Sequence, residues 1–556
     1  MHAFFTRPEV ALFLALSLGH LIGLLRVGPL QLGGICGTLI VALVIGQAGV
    51  TLSSDLKNVA FAVFIFALGF TAGPQFFANI KGGWRYGIFS IIEAVTVVAL
   101  VALAVIVLGF DPGTAAGLLA GSATESAVIG TASEALGRLG QSPEMVRVLQ
   151  GNIATAYSIT YLFGLLAIVV FTTQIAPLLL KIDLRKQAKA LAQKMGGEDD
   201  EGQILGLSAV VGRAFRSGPA AGTSVGEIEH RNRYGLTIER VWRAGKLIEA
   251  TPALELRRDD IILVIGRRAA VVAAQDRLGD EVPLPPDVNV PIVSRDVVVA
   301  RPEAIGQQVE GLRRLASDMG RGVFISRIRR IQHDIPVLPG TTLQRGDVVT
   351  LLGTQAAVDR AAGNLGQPLP PSDKSDFIYL GLGVLVGILI GSLSLKVGTF
   401  DLTLGTGGGA LLSGLLFGWL RLRYPRVGSL PAPAAEVLKD FGLATFIAAI
   451  GLSAGPDAIR LIREYGLVLP LLGIIVSVGP AFASLMIGHH LLKVEPPILL
   501  GAIAGQHCST PTLSALVSAA GNSTPVIGYS VTYPISNVIL PLLGPVVVAM
   551  AAALGS

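Results

Sequence analysis

An apolar run at residues 497–520 is interrupted by eight consecutive small or polar residues at 505–512. The interruption offers hydroxyls, a thiol, an imidazole and an amide. The run is long enough to cross a bilayer, where each unpaired backbone or hydroxyl group that faces lipid costs several kcal/mol. The composition therefore indicates a broken helix that lines a cavity. Free N–H groups and a partial positive charge at a helix start would suit a carboxylate there.

The first half of the chain has a counterpart at residues 121–127, inside the apolar run 113–136. Two interrupted helices at corresponding places are typical of the binding site of a secondary transporter. The alternative interpretation is a polar seam, since small residues let helices approach closely. The predicted substrate-binding residues are Ser122, Thr124, Glu125, Ser126, Gln506, His507, Cys508, Ser509, Thr510 and Thr512.

Three ionisable residues in apolar segments are candidates for proton or ion coupling. Glu125 lies within the first interruption, and a carboxylate at membrane depth costs about 2.5 to 3.5 kcal/mol unless it serves a pathway or a partner. It would take a proton, bind a cation or recognise a substrate ammonium; the alternative is a solvated group near the interface. An unperturbed histidine has a pKa of about 6.5, so His507 would help to hold an anionic substrate when protonated; the alternative is a structural histidine whose hydrogen bonds are satisfied. Glu93 has no counterpart in the second half and is either part of a proton route or a buried hydrogen-bonded group.

Composition defines the class of protein in which these residues lie. The 556 residues are 51% hydrophobic and 15% charged, with a mean hydropathy of +0.65, whereas soluble proteins carry about 25% charged residues. Residues 181–375 hold 28 of the 43 Lys and Arg and 24 of the 38 Asp and Glu. This distribution predicts a polytopic membrane protein with a soluble insert.

Several classes of function are not supported by the sequence. The net charge of +5 is small and collects at membrane-flanking loops, which favours cytoplasmic loops over nucleic-acid binding. The two cysteines, Cys36 and Cys508, form no metal pattern. No spaced carboxylate pair, catalytic triad or metal cluster stands out, so we expect neither an enzyme nor a cofactor or metal.

Internal repeats set the organisation of the chain. Residues 64–74 match 446–456, and 157–161 match 529–533, with the interruptions between these matches in both halves. In the insert, 238–266 match 325–353 at a constant spacing of 87 residues, and each copy is typical of a small α+β module. The predicted domains are a first membrane half at 1–180, soluble domains at 204–282 and 290–367, and a second membrane half at 375–556.

The predicted fold is therefore a polytopic all-α membrane protein whose two homologous halves flank two small α+β soluble domains. Each half offers six apolar segments. Six crossings per half would make the repeat parallel, and five would make it inverted. We favour five plus five, and so an inverted repeat with broken, crossing helices.

Shared motifs carry a family resemblance over about residues 10–550. They are the Gly-x-x-x-Gly-Pro signatures at 69–74 and 451–456, the interruptions, and the turns at 258–260 and 345–347 that precede Gly266 and Gly353. The membrane halves resemble the aspartate–alanine exchanger family of bacterial secondary transporters. Each soluble module resembles the C-terminal ligand-binding domain of regulators of potassium conductance.

The resemblance implies a function and a location. We expect exchange of small carboxylated solutes by alternating access, with aspartate and alanine as the type pair. We expect a bacterial inner membrane protein in contact with lipid, cytoplasmic regulatory domains, a homodimer, a small-molecule substrate and no nucleic-acid partner. The alternatives are a cation/proton antiporter in which Glu125 or Glu93 carries the ion, and a gated channel or receptor.

Overall fold

The chain divides into two compact units. One comprises Met1–Leu191, Ile331–His333 and Pro371–Ser556, and the other Ala192–Arg330 and Asp334–Pro370. The predicted domain starts at 204 and 290 lie outside the described residues, so those boundaries stay predictions. The computed structural model describes residues 7–27, 30–31, 33–82, 84–195, 210–232, 235–283, 292–315, 321–330, 333–368, 374–397, 400–403, 405–424 and 428–554.

The first unit consists of two helical halves whose elements follow the same order. The first half contains the helices Pro8–Gly23, Gly34–Gly46, Ser54–Gly82, Trp84–Leu108, Pro112–Ser122, Ala127–Leu136 and Pro143–Val170; a π-helical turn, Phe171–Ile175, and the helices Ala176–Leu179 and Leu184–Lys194 follow. The second half contains Phe377–Ser392, Gly405–Arg423, Ala432–Tyr465, Val468–Met486, the π-helical turn Ile487–Leu491, Pro496–Gln506, Thr510–Ala520 and Thr524–Leu554. A short pair of strands joins the first two helices of each half. The pairs are Arg26–Val27 with Leu30–Gln31 and Ser394–Val397 with Phe400–Thr403.

Six helical stretches among the described residues are long and apolar enough to cross a membrane, three in each half. They are Ser54–Pro74, Gly87–Leu108, Pro143–Leu179, Pro433–Gly455, Val468–Leu491 and Thr524–Leu554. Shorter apolar helices accompany them in both halves. The predicted polytopic architecture with a soluble insert is confirmed, whereas the inverted orientation of the repeat stays a prediction.

Each half contains one broken helix in its fifth position. The first broken helix comprises Pro112–Ser122 and Ala127–Leu136, and the second comprises Pro496–Gln506 and Thr510–Ala520. Both begin with proline in the first turn, where its missing N–H costs nothing. Asp111 also caps the first one, because its Oδ1 accepts from the amides of the next two non-proline residues at 2.8 and 3.0 Å.

The halves interlock through equivalent pairs of helices. Gly405–Arg423 packs against Ser54–Gly82, and Ala432–Tyr465 packs against Gly34–Gly46, so the second helix of each half meets the third helix of the other. Ser54–Gly82 and Ala432–Tyr465 also contact one another. We call the first three helices of each half the scaffold, and the broken helices with their flanking helices the core.

Glycine permits these close approaches at the repeated Gly-x-x-x-Gly-Pro signature. A Cβ on Gly69 would lie 2.5 Å from the Leu411 carbonyl oxygen, and one on Gly451 would lie 2.7 Å from the Ala42 Cβ. Neither distance can accommodate a side chain without movement of the neighbouring helix.

The second unit contains two five-stranded antiparallel sheets with identical topology. In chain order the strands of each sheet lie third, second, fourth, first and fifth. The first sheet comprises Val210–Ser217, Leu236–Arg243, Lys246–Glu249, Ile261–Arg267 and Gly279–Val282, with helices Val225–Arg231 and Arg268–Leu278. The second comprises Ile292–Val299, Val323–Arg330, His333–Ile335, Val348–Thr354 and Gly366–Pro368, with helices Val309–Leu315 and Gln355–Leu365.

An arginine–aspartate pair holds the equivalent turn in each module. Arg243 Nη2 lies 2.8 Å from Asp260 Oδ2, and Arg330 Nη2 lies 2.7 Å from Asp347 Oδ2. Each carboxylate also accepts a backbone N–H from the residue three positions earlier. Burial alone would raise the pKa of Asp260, but the hydrogen bonds from Arg243 and from the Arg257 amide outweigh burial and hold that pKa below its usual range.

We predict that Arg330→Ala will destabilise the second module, because it leaves the Asp347 carboxylate buried without its cation. Arg330 is 3% exposed and Asp347 is fully buried. Breaking such a pair costs about 3–5 kcal/mol. Hydrogen exchange of the full-length protein should show a matching loss of protection in strand Val348–Thr354. The control is Arg295→Ala, which removes an exposed ion pair with Asp359 worth at most about 1 kcal/mol. Equal protection in both variants would contradict the prediction.

Candidate substrate site at two helix breaks

The two breaks have the same backbone geometry. Thr124 and Cys508 have left-handed φ angles of 52° and 51°. The next residue closes the helix end in each case: the Glu125 amide donates to the Ala120 carbonyl at 2.9 Å, and the Ser509 amide to the Ala504 carbonyl at 3.1 Å. A non-glycine residue in this conformation is strained, and such strain persists only where the surrounding structure imposes it.

Tyrosines of the following helix anchor the far side of each break. The Ser126 hydroxyl lies 2.7 Å from the Tyr157 hydroxyl, and the Thr510 hydroxyl lies 3.2 Å from the Tyr529 hydroxyl. The equivalence therefore extends from backbone to side chains, with Ser126 matching Thr510. The tyrosines belong to the repeated Tyr-Ser-x-Thr-Tyr segments at 157–161 and 529–533.

The breaks are in direct contact. The Thr124 hydroxyl donates a hydrogen bond to the His507 carbonyl oxygen, which joins the first break to the second. The Glu125 carboxylate accepts from the Ala127 amide at 3.0 Å and lies beside the Cys508 thiol. On its other side the thiol accepts from Asn537 Nδ2 at 3.3 Å. The structure thus brings residues from positions 124–127 and 507–508 together at one place in the core.

The residues that are exposed to solvent lie at equivalent positions in the two breaks. Thr124, Ser126 and Cys508 are partly exposed, and Thr510 is exposed. The remaining predicted site residues are buried behind them: Ser122, Glu125, Gln506, His507, Ser509 and Thr512. The Ser122 hydroxyl has no hydrogen-bond partner among the described residues, whereas Ser509 and Thr512 hydrogen-bond to each other at 2.7 Å.

His507 points away from the exposed positions. Its Nδ1 lies 2.7 Å from Glu93 Oε2 and its Nε2 lies 2.8 Å from the Ser477 carbonyl oxygen. Both side chains are completely buried. Glu93 comes from the helix Trp84–Leu108 of the first half, so this contact also joins the halves. The structure therefore unites two residues that the sequence presented separately.

Glu134 is a functional candidate that sequence reasoning missed. Its two carboxylate oxygens accept from the backbone amides of Thr406 and Gly407 at 2.6 and 3.1 Å. They cap the start of Gly405–Arg423, so a core residue of one half is bound to a scaffold helix of the other. Glu134 and these amides are more than 270 residues apart in the sequence, so no local sequence pattern predicts the contact.

Two lysines at equivalent positions were also missed. Lys57 and Lys439 lie 382 residues apart, the same offset that aligns Gly69 with Gly451. Lys57 Nζ donates to Gln150 Oε1 at 3.4 Å, and the positive charge of Lys439 acts on Glu125. Extending the repeat alignment by seven residues, about two helical turns, toward the amino terminus would have found both.

Comparison with known proteins places this architecture among permeases. The family described as Predicted Permease Membrane Region matches residues 11–177 and 379–549, and the TrkA-C domain matches residues 293–366. The class that fold and site define is a multi-pass membrane transporter with two homologous halves around a soluble insert. The chain belongs to the Asp-Al_Ex permease family.

Full-length relatives agree with that assignment. An uncharacterized transporter of Zymomonas mobilis is 39% identical over 98% of this chain and 97% of its own length. Uncharacterized transporters of Bordetella parapertussis and Bradyrhizobium diazoefficiens are 38% and 36% identical over 98% of this chain, and over 97% and 98% of their own lengths. No solved structure matches the chain significantly.

Proposed function

We propose that this transporter exchanges small carboxylated amino acids, such as aspartate for alanine, by alternating access across the bacterial inner membrane. The observation that carries the proposal is the contact between two equivalent breaks, whose partly exposed residues include hydroxyls from both halves. The soluble modules would lie in the cytoplasm and regulate transport.

The two breaks differ in charge, and this difference fits a zwitterion. Glu125 occupies the start of the helix Ala127–Leu136 in the first break. In the second break Ser509 takes its place, and the helix Thr510–Ala520 has no acidic residue in its first turn. A substrate carboxylate would bind at the Thr510–Ala520 start, where the helix dipole is positive, and its ammonium group would face Glu125.

Division into core and scaffold supports alternating access. The first segment of each broken helix packs mainly on the long helix that follows the break, Pro112–Ser122 against Pro143–Val170 and Pro496–Gln506 against Thr524–Leu554. The Glu134 cap on Gly405–Arg423 is one of the contacts that joins core to scaffold. Movement of the core would break such contacts and open the site to the opposite side.

Counterflow in proteoliposomes tests the proposal. Vesicles preloaded with alanine should accumulate radiolabelled aspartate, saturably and without nucleotide. Absence of counterflow with every small carboxylate and amino acid tested would overturn the proposal. Sodium or proton flux without an organic solute would identify a cation antiporter, and non-saturable flux a channel.

A hydroxyl substitution gives a finer test of the site. Thr510→Val should raise the aspartate concentration for half-maximal counterflow about fivefold, since one hydrogen bond contributes about 1 kcal/mol. Ser514→Ala is the matched control, because its hydroxyl is exposed one turn further along the same helix and bonds only to the Thr510 carbonyl among the described contacts. The same change in both variants would argue against substrate binding at Thr510.

A further inference from the structure

Two departures from the internal repeat are connected through one side chain of the second break. Glu125 of the first break corresponds to Ser509, and Asn537 of the last helix corresponds to Leu165 when the Tyr-Ser-x-Thr-Tyr segments are aligned. Asn537 Nδ2 lies 3.3 Å from the Cys508 sulfur. The Cys508 thiol in turn hydrogen-bonds to the Glu125 carboxylate. The two residues that make the halves chemically different therefore share a single thiol.

Hydrogen-bond chemistry determines the direction of these contacts. A carbonyl oxygen only accepts, so the Asn537 atom that lies 2.8 Å from the Tyr533 carbonyl oxygen is the amide nitrogen. The same nitrogen carries a second hydrogen, which it donates to the Cys508 sulfur. An ionised carboxylate also only accepts, so the thiol donates its own hydrogen to Glu125. We call this sequence of contacts, from Asn537 through Cys508 to Glu125, the donor chain.

The surroundings hold each member of the donor chain in place. Asn537 is 3% exposed and Glu125 is 5% exposed. Cys508 has the left-handed backbone conformation of the break, with a φ angle of 51°. The Glu125 carboxylate accepts a further hydrogen bond from the Ala127 amide at 3.0 Å. Two donors from different breaks thus orient the carboxylate before a substrate arrives, which lowers the entropy cost of binding.

Among the described residues, the equivalent positions of the first half form no such chain. Thr124 takes the place of Cys508, and its hydroxyl donates to the His507 carbonyl oxygen. Leu165 takes the place of Asn537, and its side chain has no hydrogen-bonding group. Both breaks have the same backbone geometry, so the turn itself does not require the donor chain. The donor chain instead accompanies the carboxylate that only the first break contains.

We infer that Asn537 is a positioning residue for recognition of the substrate ammonium group. This inference rests on the proposed exchange of amino acids. Asn537 orients the Cys508 thiol, the thiol orients the Glu125 carboxylate, and the carboxylate meets the ammonium group at the breaks. Because hydrogen bonds weaken steeply as their geometry departs from linear, a misdirected carboxylate binds the ammonium group less tightly. Asn537 thereby favours amino acids over dicarboxylates that lack an amino group.

Replacement of Asn537 by leucine, the residue of the first half, tests this inference. Unlabelled aspartate and succinate compete during counterflow with labelled aspartate, supplied well below half-saturation. In Asn537→Leu we expect aspartate to lose potency about fivefold, the size of effect that one neutral hydrogen bond gives. Succinate should keep its potency, and the maximal exchange rate should not change, because the carboxylate is misdirected and not removed.

A double-mutant cycle separates positioning from general support of the site. If Asn537 acts through Glu125, Asn537→Leu should lower the aspartate potency in the wild-type background and change it less than about twofold in Glu125→Gln. Cys508→Ala should lose potency as Asn537→Leu does. Cys508→Ser keeps a group that both accepts and donates, so it should retain the aspartate potency within about twofold.

Infrared spectroscopy detects the state of the thiol directly. In a Cys36→Ser background Cys508 is the only thiol of the protein. The stretching band of an S–H group moves to lower frequency when the group donates a hydrogen bond. Without substrate, Asn537→Leu in this background should show the band at a higher frequency than its parent. An unchanged band would show that Asn537 does not direct the thiol, whether or not the variant transports.

The matched control is Asn152→Leu, which removes another buried amide. Asn152 Nδ2 donates to Asp111 Oδ2 at 3.1 Å, at the end of the helix Pro112–Ser122 that is remote from the break. This variant should keep the aspartate potency. Equal losses for aspartate and succinate in Asn537→Leu, or a full additional loss in the Glu125→Gln background, would overturn the inference alone.

Two further outcomes are informative. If Asn537→Leu does not fold, a loss of aspartate potency in Cys508→Ser as large as in Cys508→Ala would overturn the inference, and retention in Cys508→Ser would support it. Absence of aspartate–alanine exchange in the wild-type protein overturns the proposed function and the inference with it.

Discussion

Glutamine in place of Glu125 is expected to weaken amino acid binding by about 30- to 100-fold and to leave binding of simple dicarboxylates almost unchanged. The carboxylate is buried beside the contact between the breaks, where an ammonium group would meet it out of bulk water. Loss of a hydrogen bond between charged groups costs about 2–3 kcal/mol, which corresponds to this range. The oxygen of glutamine can still accept from the Ala127 amide, so the helix start is preserved.

Competition during counterflow measures this effect. Unlabelled aspartate and succinate compete with the labelled substrate in the wild-type protein, in Glu125→Gln and in Glu144→Gln, an exposed carboxylate in the same half. Aspartate should lose potency only in Glu125→Gln, and succinate in neither variant. An equal loss for both compounds would show that Glu125 supports the structure of the site and does not recognise an ammonium group.

Alanine at Gly121 or Gly505 is expected to lower the exchange rate by up to about 100-fold. A Cβ at Gly505 would lie 2.2 Å from Thr532 Oγ1 and 2.7 Å from the Tyr529 carbonyl oxygen. A Cβ at Gly121 would lie 2.0 Å from Thr160 Oγ1 and 2.7 Å from the Tyr161 amide. Because backbone atoms cannot rotate away, the break must shift from the following helix, and overpacking of this kind costs about 1–3 kcal/mol.

Gly381→Ala is the matched control for both glycine substitutions. Gly381 lies on the apolar helix Phe377–Ser392, and its added Cβ would meet no atom within 4 Å. Counterflow rates, normalised to folded protein, should fall for Gly121→Ala and Gly505→Ala and stay unchanged for Gly381→Ala. Unchanged rates in all three variants would show that the position of the breaks relative to Tyr157 and Tyr529 does not matter for transport.

The general plan of the molecule was predictable from the sequence because duplication is visible in it. Polar residues inside apolar runs predicted the positions of both breaks. The repeated Tyr-Ser-x-Thr-Tyr segments lie in the helix that follows each break. The constant spacing of 87 residues predicted two equivalent soluble modules, and their sheets share one strand order. These features depend on local composition and on repetition, both of which a single sequence contains.

The partners of the buried charged residues could not be predicted in the same way. Glu93 and His507 are 414 residues apart and lie in different halves. Glu134 caps a helix 272 residues away. Such contacts depend on how the halves pack, and the repeat does not help because neither Glu93 nor Glu134 has an acidic equivalent in the second half. Lys57 and Lys439 are different from these acidic residues, because the internal repeat places the two lysines at equivalent positions.

Substrate protection of Cys508 tests the central claim most directly. The protein has only two cysteines, and Cys36 is buried in the scaffold whereas Cys508 is partly exposed at the contact between the breaks. In a Cys36→Ser background, a small thiol reagent should modify Cys508, and saturating aspartate should slow the reaction at least tenfold. Modification at an unchanged rate, in vesicles that exchange aspartate at the same concentration, would place the substrate elsewhere and contradict the account.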